Sequence, residues 1–486
     1  MHGGFEMVAR IPYPSTAPGF YAVASEVATM RFLRSSGLPV PEVYNYSPSS
    51  NNAAKTEYIF MEFMKGTKLS DVWMELEERH IVSVLRQLVQ LESRMMSIPF
   101  PAGGSLYYTN DLEKKMGGRA SIPLNDERFC IGPDARLHMW YGRRSQLDVN
   151  RGPCAPLSAF SFVELLELIE TIDENVEAAL VAAARKELAY LEQFGRPLLP
   201  FQRERREAYG YKEQSPSDHI ENLERYLLIA SSLVPKNSAL HHFRIRHPDL
   251  QPSNIIVSTS SDSNQLKIVG LLDWQHASIL PQFLLAGIPG RLQNYDDPVS
   301  QALTPPSLPA NVDELDQFEQ SHEMGLYHRR LVHFHYAKNT EEYNKLHHNV
   351  LSDPVSMFIY RLFDQAGAPW EGETHALKTT LIEATETWGR LMGEGVPCPV
   401  AFEPEDIRKT KELSAKLQVA DENFEGCRGM VGFETETWVS NEHYERAMVL
   451  AELLRLTVLT AIPEEEVRAK TEANWFLNDM DEKDYM

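Results

Sequence analysis

Cysteine is scarce in this sequence: there are four in 486 residues, at positions 130, 154, 398 and 427, and none belongs to a Cys-x-x-Cys pair. Spacing that wide builds neither a zinc ligand set nor a disulfide framework, and it fits reduced thiols in a soluble intracellular protein. Long apolar runs are missing too. None approaches the roughly 18 residues that a spanning helix requires, so no membrane span is expected. The opening stretch MHGGFEMVARIPYPS has no signal-peptide core, and its lone arginine makes no transit peptide. Basic residues fall short of acidic ones, 47 against 69, for a formal charge of −22. A field of that sign repels phosphate backbones and anionic lipid, so no nucleic-acid partner is expected. It suits cationic substrates or divalent metals, and it is also ordinary for a soluble enzyme. No internal repeat or low-complexity tract is visible.

What is present reads as a folded chain of more than one lobe, since 486 residues exceed what a single core usually holds. MVARIP at 7–12 alternates like a strand, and the residues from about Ala22 to Ser35 read as a helix closed by Gly37 and the prolines at 39 and 41. EYIFMEFM at 57–64 reads as a buried strand. Helical periodicity dominates 69–96, 159–194, 217–233 and much of the chain beyond 320. Between them, 97–158 is an irregular, Pro/Gly-rich insertion, and 304–316 is a surface connection. Inside the helix 22–35, Val23, Val27, Met30 and Leu33 share a face, and Glu26 falls within it. Either Glu26 reaches solvent at the edge of the stripe or it needs a buried partner; Arg10, on the preceding strand, is the nearest candidate.

The informative segment is 247–274, HPDLQPSNIIVSTSSDSNQLKIVGLLDW. Two β-rich runs, Asn254 to Thr259 and Leu266 to Asp273, flank the turn-forming SSDSN at 260–264. Paired as a hairpin, they bring Asn254 and Asp273 together at its open mouth, about 5–8 Å apart. A carboxamide and a carboxylate there offer hard oxygen ligands to Mg²⁺. Asp249, on the loop feeding the hairpin, is placed to accept a proton from a hydroxyl. These are the parts that phosphoryl transfer needs. Chance yields the His-x-Asp-x-x-x-x-Asn spacing in about one chain in forty of this length, before the hairpin and the terminal Asp are required.

HPDLQPSN and LLDW resemble the catalytic loop and metal-binding Asp of the aminoglycoside phosphotransferase family, relatives of protein and choline kinases. The resemblance extends over nearly the whole chain to one fungal branch, the altered inheritance of mitochondria protein 9 group. It is carried by VARIP at 8–12, SEVATMRFLRSSGLPVPEV at 25–43, YIFMEFMKG at 58–66, GSLYY at 104–108, FCIGPD at 129–134 and LDWQHASILP at 272–281. It implies an α+β, protein-kinase-like two-lobed fold, with a small, truncated β-rich N-lobe over 1–64. The mainly helical C-lobe, 65–486, would hold the catalytic loop and metal hairpin and end in a helical extension. By the same resemblance the cofactors are ATP and Mg²⁺, and the partner is a small-molecule hydroxyl substrate. Asp249 would be the catalytic base and Asn254 and Asp273 the Mg²⁺ ligands. Glu26 would orient the phosphate-contacting Arg10. Met61, Glu62, Phe63 and Met64 would form the strand end and hinge that bind adenine, with Met61 lining the pocket.

Two departures from the family pattern bear on function. The cation is arginine where the family often has lysine, and the two differ in shape and basicity. The nine residues ahead of Arg10 are too few for the two strands and glycine-rich turn of a kinase-like lobe, so a truncated lobe is expected. Gly3-Gly4-Phe5 is either a remnant of that turn or a plain flexible terminus. Two functions stay open: an ATP/Mg-dependent phosphotransferase acting on a small-molecule hydroxyl, and a pseudokinase-like binding or scaffold protein without turnover. A metal-dependent hydrolase lacks its second acidic cluster. Location is mitochondrial by the resemblance and cytoplasmic if the visible N-terminus is complete. Bland roles are expected elsewhere: packing for Trp274, structural histidines at 333 and 335, and a turn or helix start at Asp296-Asp297. RERR at 203–206 reads as a solvated helix face, and His247 as an anchor of the catalytic loop.

Overall fold

The segments MVAR, VYNYS and YIFME form three short strands, β1 Met7–Arg10, β2 Val43–Ser47 and β3 Tyr58–Glu62, with helix α1 Gly19–Ser35 between the first two. β3 is the central strand and runs antiparallel to both neighbours, pairing Met7 with Glu62 and Arg10 with Ile59. β1 stops at Arg10, sooner than its alternation suggests, because Ile11 precedes a proline and Pro12 has no N–H for the ladder. In the computed structural model the described residues are 5–13, 18–116, 121–154, 168–259, 265–431, 444–478 and 483. Gly3-Gly4 and the turn at 260–264 lie outside them.

After β3 the chain adds β4 Thr67–Lys68 and helix α2 Glu78–Met96. The helical pattern expected from 69 is split. Leu69–Asp71 and Trp73–Glu75 are single tight turns, and the long helix begins only at Glu78. The segment expected to be irregular, 97–158, contains a sheet of its own: β5 Ser105–Tyr108, β6 Ile122–Pro123 and β7 Phe129–Gly132, in the order β5-β7-β6. Each strand is four residues or shorter and bounded by glycine, proline or a turn, which hides it from any periodicity test.

This second sheet explains the burial of α1. The helix packs against β2 and β3 of the first sheet and against β5 of the second. Ser25, Glu26 and Thr29 are therefore buried together with Val23, Val27, Met30 and Leu33. Gly104 makes the close approach possible: at φ +140° an added Cβ would lie 2.3 Å from the carbonyl oxygen of Gly132.

The remaining strands are β8 Phe243–Ile245, β9 Ile255–Thr259, β10 Leu266–Leu271 and β11 Ile279–Pro281. β9 lies between β10 and β4, antiparallel to both, and β8 pairs with β11. α2 packs against β10 and against the helix Gln317–Tyr343. The connection 304–316 is largely exposed, as expected, with one tight turn at Val312–Glu314.

The chain divides into two compact units, Met1–Ala183 with Leu233–Phe363, and Ala184–Ser232 with Asp364–Met486. All eleven strands of the described residues lie in the first. The second is helical in its described residues, and a buried ion pair ties its two segments together. Lys186 Nζ lies 2.9 Å from Glu187 Oε2 and donates to the Gly367 carbonyl, while Glu187 Oε1 accepts from the Trp370 N–H. The RERR cluster belongs here and is not simply a solvated face. Arg205 is bonded to Asp421, and Arg206 is buried, donating to the Pro200 carbonyl and to Asn474. The architecture is α+β and mainly helical, with small antiparallel sheets. No described helix is long and apolar enough to cross a membrane, and all four cysteines are free.

Candidate functional site

The β9–β10 ladder pairs Ile255 with Leu271 and extends by one more bond, from Leu272 N–H to the Asn254 carbonyl at 2.8 Å. Asn254 thus sits opposite Leu272, beside Asp273, as the hairpin reading requires. Neither residue is in a strand. Pro252–Asn254 is a tight turn, since proline suits its first position, and Asp273 adopts φ +60°, which ends β10. Asn254 Nδ2 donates to the Asp249 carbonyl at 2.9 Å and to Asp249 Oδ2 at 3.2 Å. Gln251 Nε2 donates to that same oxygen at 2.6 Å. Both donors converge on Oδ2, so Oδ1 of the exposed Asp249 remains open to a ligand.

His247 fixes this loop from below. Its Nδ1 accepts the Asp249 N–H at 3.1 Å, so the ring proton belongs on Nε2, which donates to the Leu272 carbonyl at 2.8 Å. Burial pushes the imidazole down to about 4, so it is neutral at ordinary pH. It packs against Trp274, which is fully buried and donates to the Leu271 carbonyl. The anchoring reading of His247 and the packing reading of Trp274 both hold.

Arg10 joins the N-terminal sheet to this mouth. Its Nη1 lies 3.0 Å from Glu26 Oε1, and its Nη2 donates to Asp273 Oδ1 at 2.7 Å and to Gln275 Oε1 at 2.8 Å. The acid inside the apolar stripe therefore has the partner proposed for it and does not reach solvent. Burial between two sheets lifts the Glu26 carboxyl to about 7, against the opposing pull of Arg10. The contact between Arg10 and Asp273 spans 263 residues and has no counterpart in the sequence reading.

Asn254 Oδ1 and Asp273 Oδ2 have no protein partner among the described residues, and both are hard oxygen donors. That fits Mg²⁺, which binds through one or two protein oxygens and keeps its other positions for water and phosphate. Among the described residues no cluster of three or more His, Cys, Asp or Glu offers a competing cage.

A buried network that the sequence did not reveal holds the start of the loop. Arg246 donates through Nε to Glu92 Oε1 at 2.7 Å, through Nη2 to the Tyr336 hydroxyl at 2.8 Å, and through Nη1 to the carbonyls of Leu285 and Gly287. Glu92 has no exposed surface, and Tyr336 donates to its second oxygen. Next to the mouth, His276 has φ +65° and its Nδ1 lies 2.8 Å from the Ala135 carbonyl. That contact brings the FCIGPD segment to the same side as LDWQHASILP. The bland readings of two other groups also hold. His333 accepts the Asn294 N–H, and Asp297 caps the helix Pro298–Gln301 while pairing with Arg330.

The residues expected to bind adenine lie at the end of β3 and just past it. Met61 pairs with Val8 across the sheet and is half-buried. Glu62 spends its carboxylate on Arg34 at 3.1 Å and on the Glu42 N–H, and its own N–H on the Glu42 carbonyl. Phe63 is 49% exposed, and Met64 packs close to Gly270 of β10. Glu62, Phe63 and Met64 line a cavity of about 480 Å³ with Phe5 and Tyr44, and Met61 is not part of its wall.

Comparison with known proteins matches residues 2–282 to the phosphotransferase enzyme family. Over 475 residues, 94% of this chain and 89% of the relative, the sequence is 32% identical to a subtelomeric hrmA-associated cluster protein of Aspergillus fumigatus. It is 25% identical over 445 residues to altered inheritance of mitochondria protein 9, mitochondrial, of Saccharomyces cerevisiae, covering 84% of this chain and 66% of that protein. Among solved structures, the GDP complex of aminoglycoside 2'-phosphotransferase-IIIa aligns over 86% of this chain and 85% of its own, at 12% identity and a TM-score of 0.30. At that score it adds nothing to the family match.

Proposed function

Because the chain belongs to the phosphotransferase enzyme family, we propose that it transfers a phosphoryl group from ATP to a hydroxyl of a small molecule. The observation that carries this reading is the convergence of Asp249, Asn254 and Asp273 on one mouth, with Arg10 brought to it from β1. Asp249 is the acceptor-facing group. With Oδ2 held by Gln251 and Asn254, Oδ1 takes the hydrogen bond of the incoming hydroxyl and receives its proton as the new oxygen–phosphorus bond forms, the bond from phosphorus to the bridging oxygen breaks and ADP leaves. Asn254 and Asp273 would hold Mg²⁺, which when bound neutralises charge on the phosphates. Arg10, tied to Glu26, sets the orientation of Asp273 and adds a fixed positive charge beside it. The connector at Glu62–Met64, which lines the cavity beside β3, supplies the adenine contacts. The lobe boundary falls near residue 64, and the location is mitochondrial, as the name of the yeast relative says of that protein.

The test is Asp249→Asn. Transfer, or ATP turnover without acceptor, should fall at least a thousandfold, while affinity for Mg-nucleotide changes less than threefold, because Asp249 is not assigned to the metal. Equal losses of binding and turnover would mean that its role is misassigned.

A further inference from the structure

A second cavity, of about 530 Å³, opens in the same unit away from the mouth. Its wall is one face of α2: Gln87, Gln90, Leu91 and Arg94 recur at helical spacing and all line it. Lys267 and Ile268 of β10 close one side. Arg34 and the Gly37–Pro39 turn after α1 close another. Three cations and no carboxylate line this space in a chain that carries a formal charge of −22. Arg34 is already paired with Glu62 at 3.1 Å. Among the described residues, Arg94 has the Gly37 carbonyl at 3.3 Å as its one side-chain partner, and Lys267 has no carboxylate partner.

We propose that this cavity is a binding site for a small organic phosphate, held by Arg94 and Lys267 through its phosphoryl group and by Leu38, Pro39, Leu91 and Ile268 through an apolar body. Two cations without carboxylates match the two charges of a phosphate monoester. The volume lies in the range of small-ligand sites, and charged and amide side chains make up half of the ten lining residues, which favours a ligand with a charged head over a wholly apolar one. The walls are tied to the strand that ends beside Asp273. Gln87 brackets β10, accepting the Ile268 N–H at 3.0 Å and donating to the Leu266 carbonyl at 2.8 Å. The Pro39 carbonyl accepts the Leu271 N–H at 2.8 Å. An occupant therefore braces β10 at Ile268 and at Leu271, the latter two residues before Asp273. The binding claim does not depend on the transfer reading.

The test is calorimetric titration of the full chain with 1-naphthyl phosphate, 1-naphthol and inorganic phosphate. The ester should bind at least tenfold tighter than either fragment. Arg94→Glu with Lys267→Glu, both exposed positions, should weaken it more than tenfold. Gln90→Trp should weaken it by filling the space without changing charge. Asp273→Asn should leave it within twofold. Equal affinity in the wild type and the charge-reversed variant overturns the proposal, as does loss of binding in Asp273→Asn, which would put the phosphate in the mouth of the hairpin.

Discussion

His247 is held by a donor on one ring nitrogen and an acceptor on the other, so its neutral tautomer is built into the loop. Unfolded, the same imidazole titrates near 6.5; folded, it titrates near 4. Between those values the unfolded chain binds the extra proton and the folded one does not, so acid favours unfolding. Stability contributed by the neutral ring is complete above pH 6.5 and is lost as pH falls toward 4, by up to roughly 3 kcal/mol. Urea unfolding of the wild type and of His247→Gln at pH 7, 5.5 and 4 should show the wild type losing more stability across this window. Parallel losses would mean that the ring is not held neutral. At this scale the sequence was informative wherever chemistry and spacing coincide. His247, Asp249 and Asn254 lie within eight residues of one another, and Glu26 betrayed itself as an acid in an apolar stripe. Arg246 gave no such sign. Its partners Glu92 and Tyr336 lie 154 and 90 residues away, and an arginine beside a motif looks like any surface arginine until the fold buries it.

Elements with ten or more residues of one period, such as α1 and α2, were legible, and so was the β9–β10 hairpin, because a turn signal separates two β-rich runs. The sheet β5-β7-β6 was not, since its strands are short and their pairing is decided by tertiary contacts with α1 and residues 277–279. Junctions between elements depend on single glycines that no periodicity reports. Gly66 joins β3 to β4 at φ +153°, and an added Cβ would lie 2.5 Å from the Val257 carbonyl oxygen, inside the β4–β9 pairing. Gly37 also has positive φ, +81°, but nothing lies within 4 Å of its Cβ position. Gly66→Ala must therefore displace backbone as well as strain it, and should cost about 2–3 kcal/mol, against about 1 kcal/mol for Gly37→Ala. Chemical denaturation of the two variants checks the order. Equal costs would show that β4 yields freely and that the connector after Met64 is not braced by β9.

For the whole molecule, the two readings left open by the sequence differ in what the mouth of the hairpin does with nucleotide. The family match and the converging side chains support an enzyme. The pairing of Arg10 with Asp273 Oδ1 lowers the affinity expected for metal, because a cation at Asp273 competes with a guanidinium already 2.7 Å away. Net charge works the other way: a chain at −22 attracts divalent cations at long range and repels free ATP, so the Mg complex is the favoured form of the nucleotide. Thermal unfolding separates the possibilities. A ligand that binds only the folded chain adds about 2.7 kcal/mol at a hundredfold excess over its dissociation constant, enough for a clear shift of the midpoint. The comparison variant is Asp273→Asn, because asparagine tolerates the left-handed backbone at φ +60° better than alanine does; its one oxygen is the acceptor for Arg10, so the metal-facing oxygen and the charge are lost without added strain. ATP with Mg²⁺ should raise the wild-type midpoint, ATP with chelator should raise it much less, and Asp273→Asn should remove the difference between the two. A shift that is the same with and without Mg²⁺ points to a nucleotide-binding scaffold whose Asp273 serves Arg10 alone. No shift at millimolar nucleotide in either protein removes the kinase reading of this mouth.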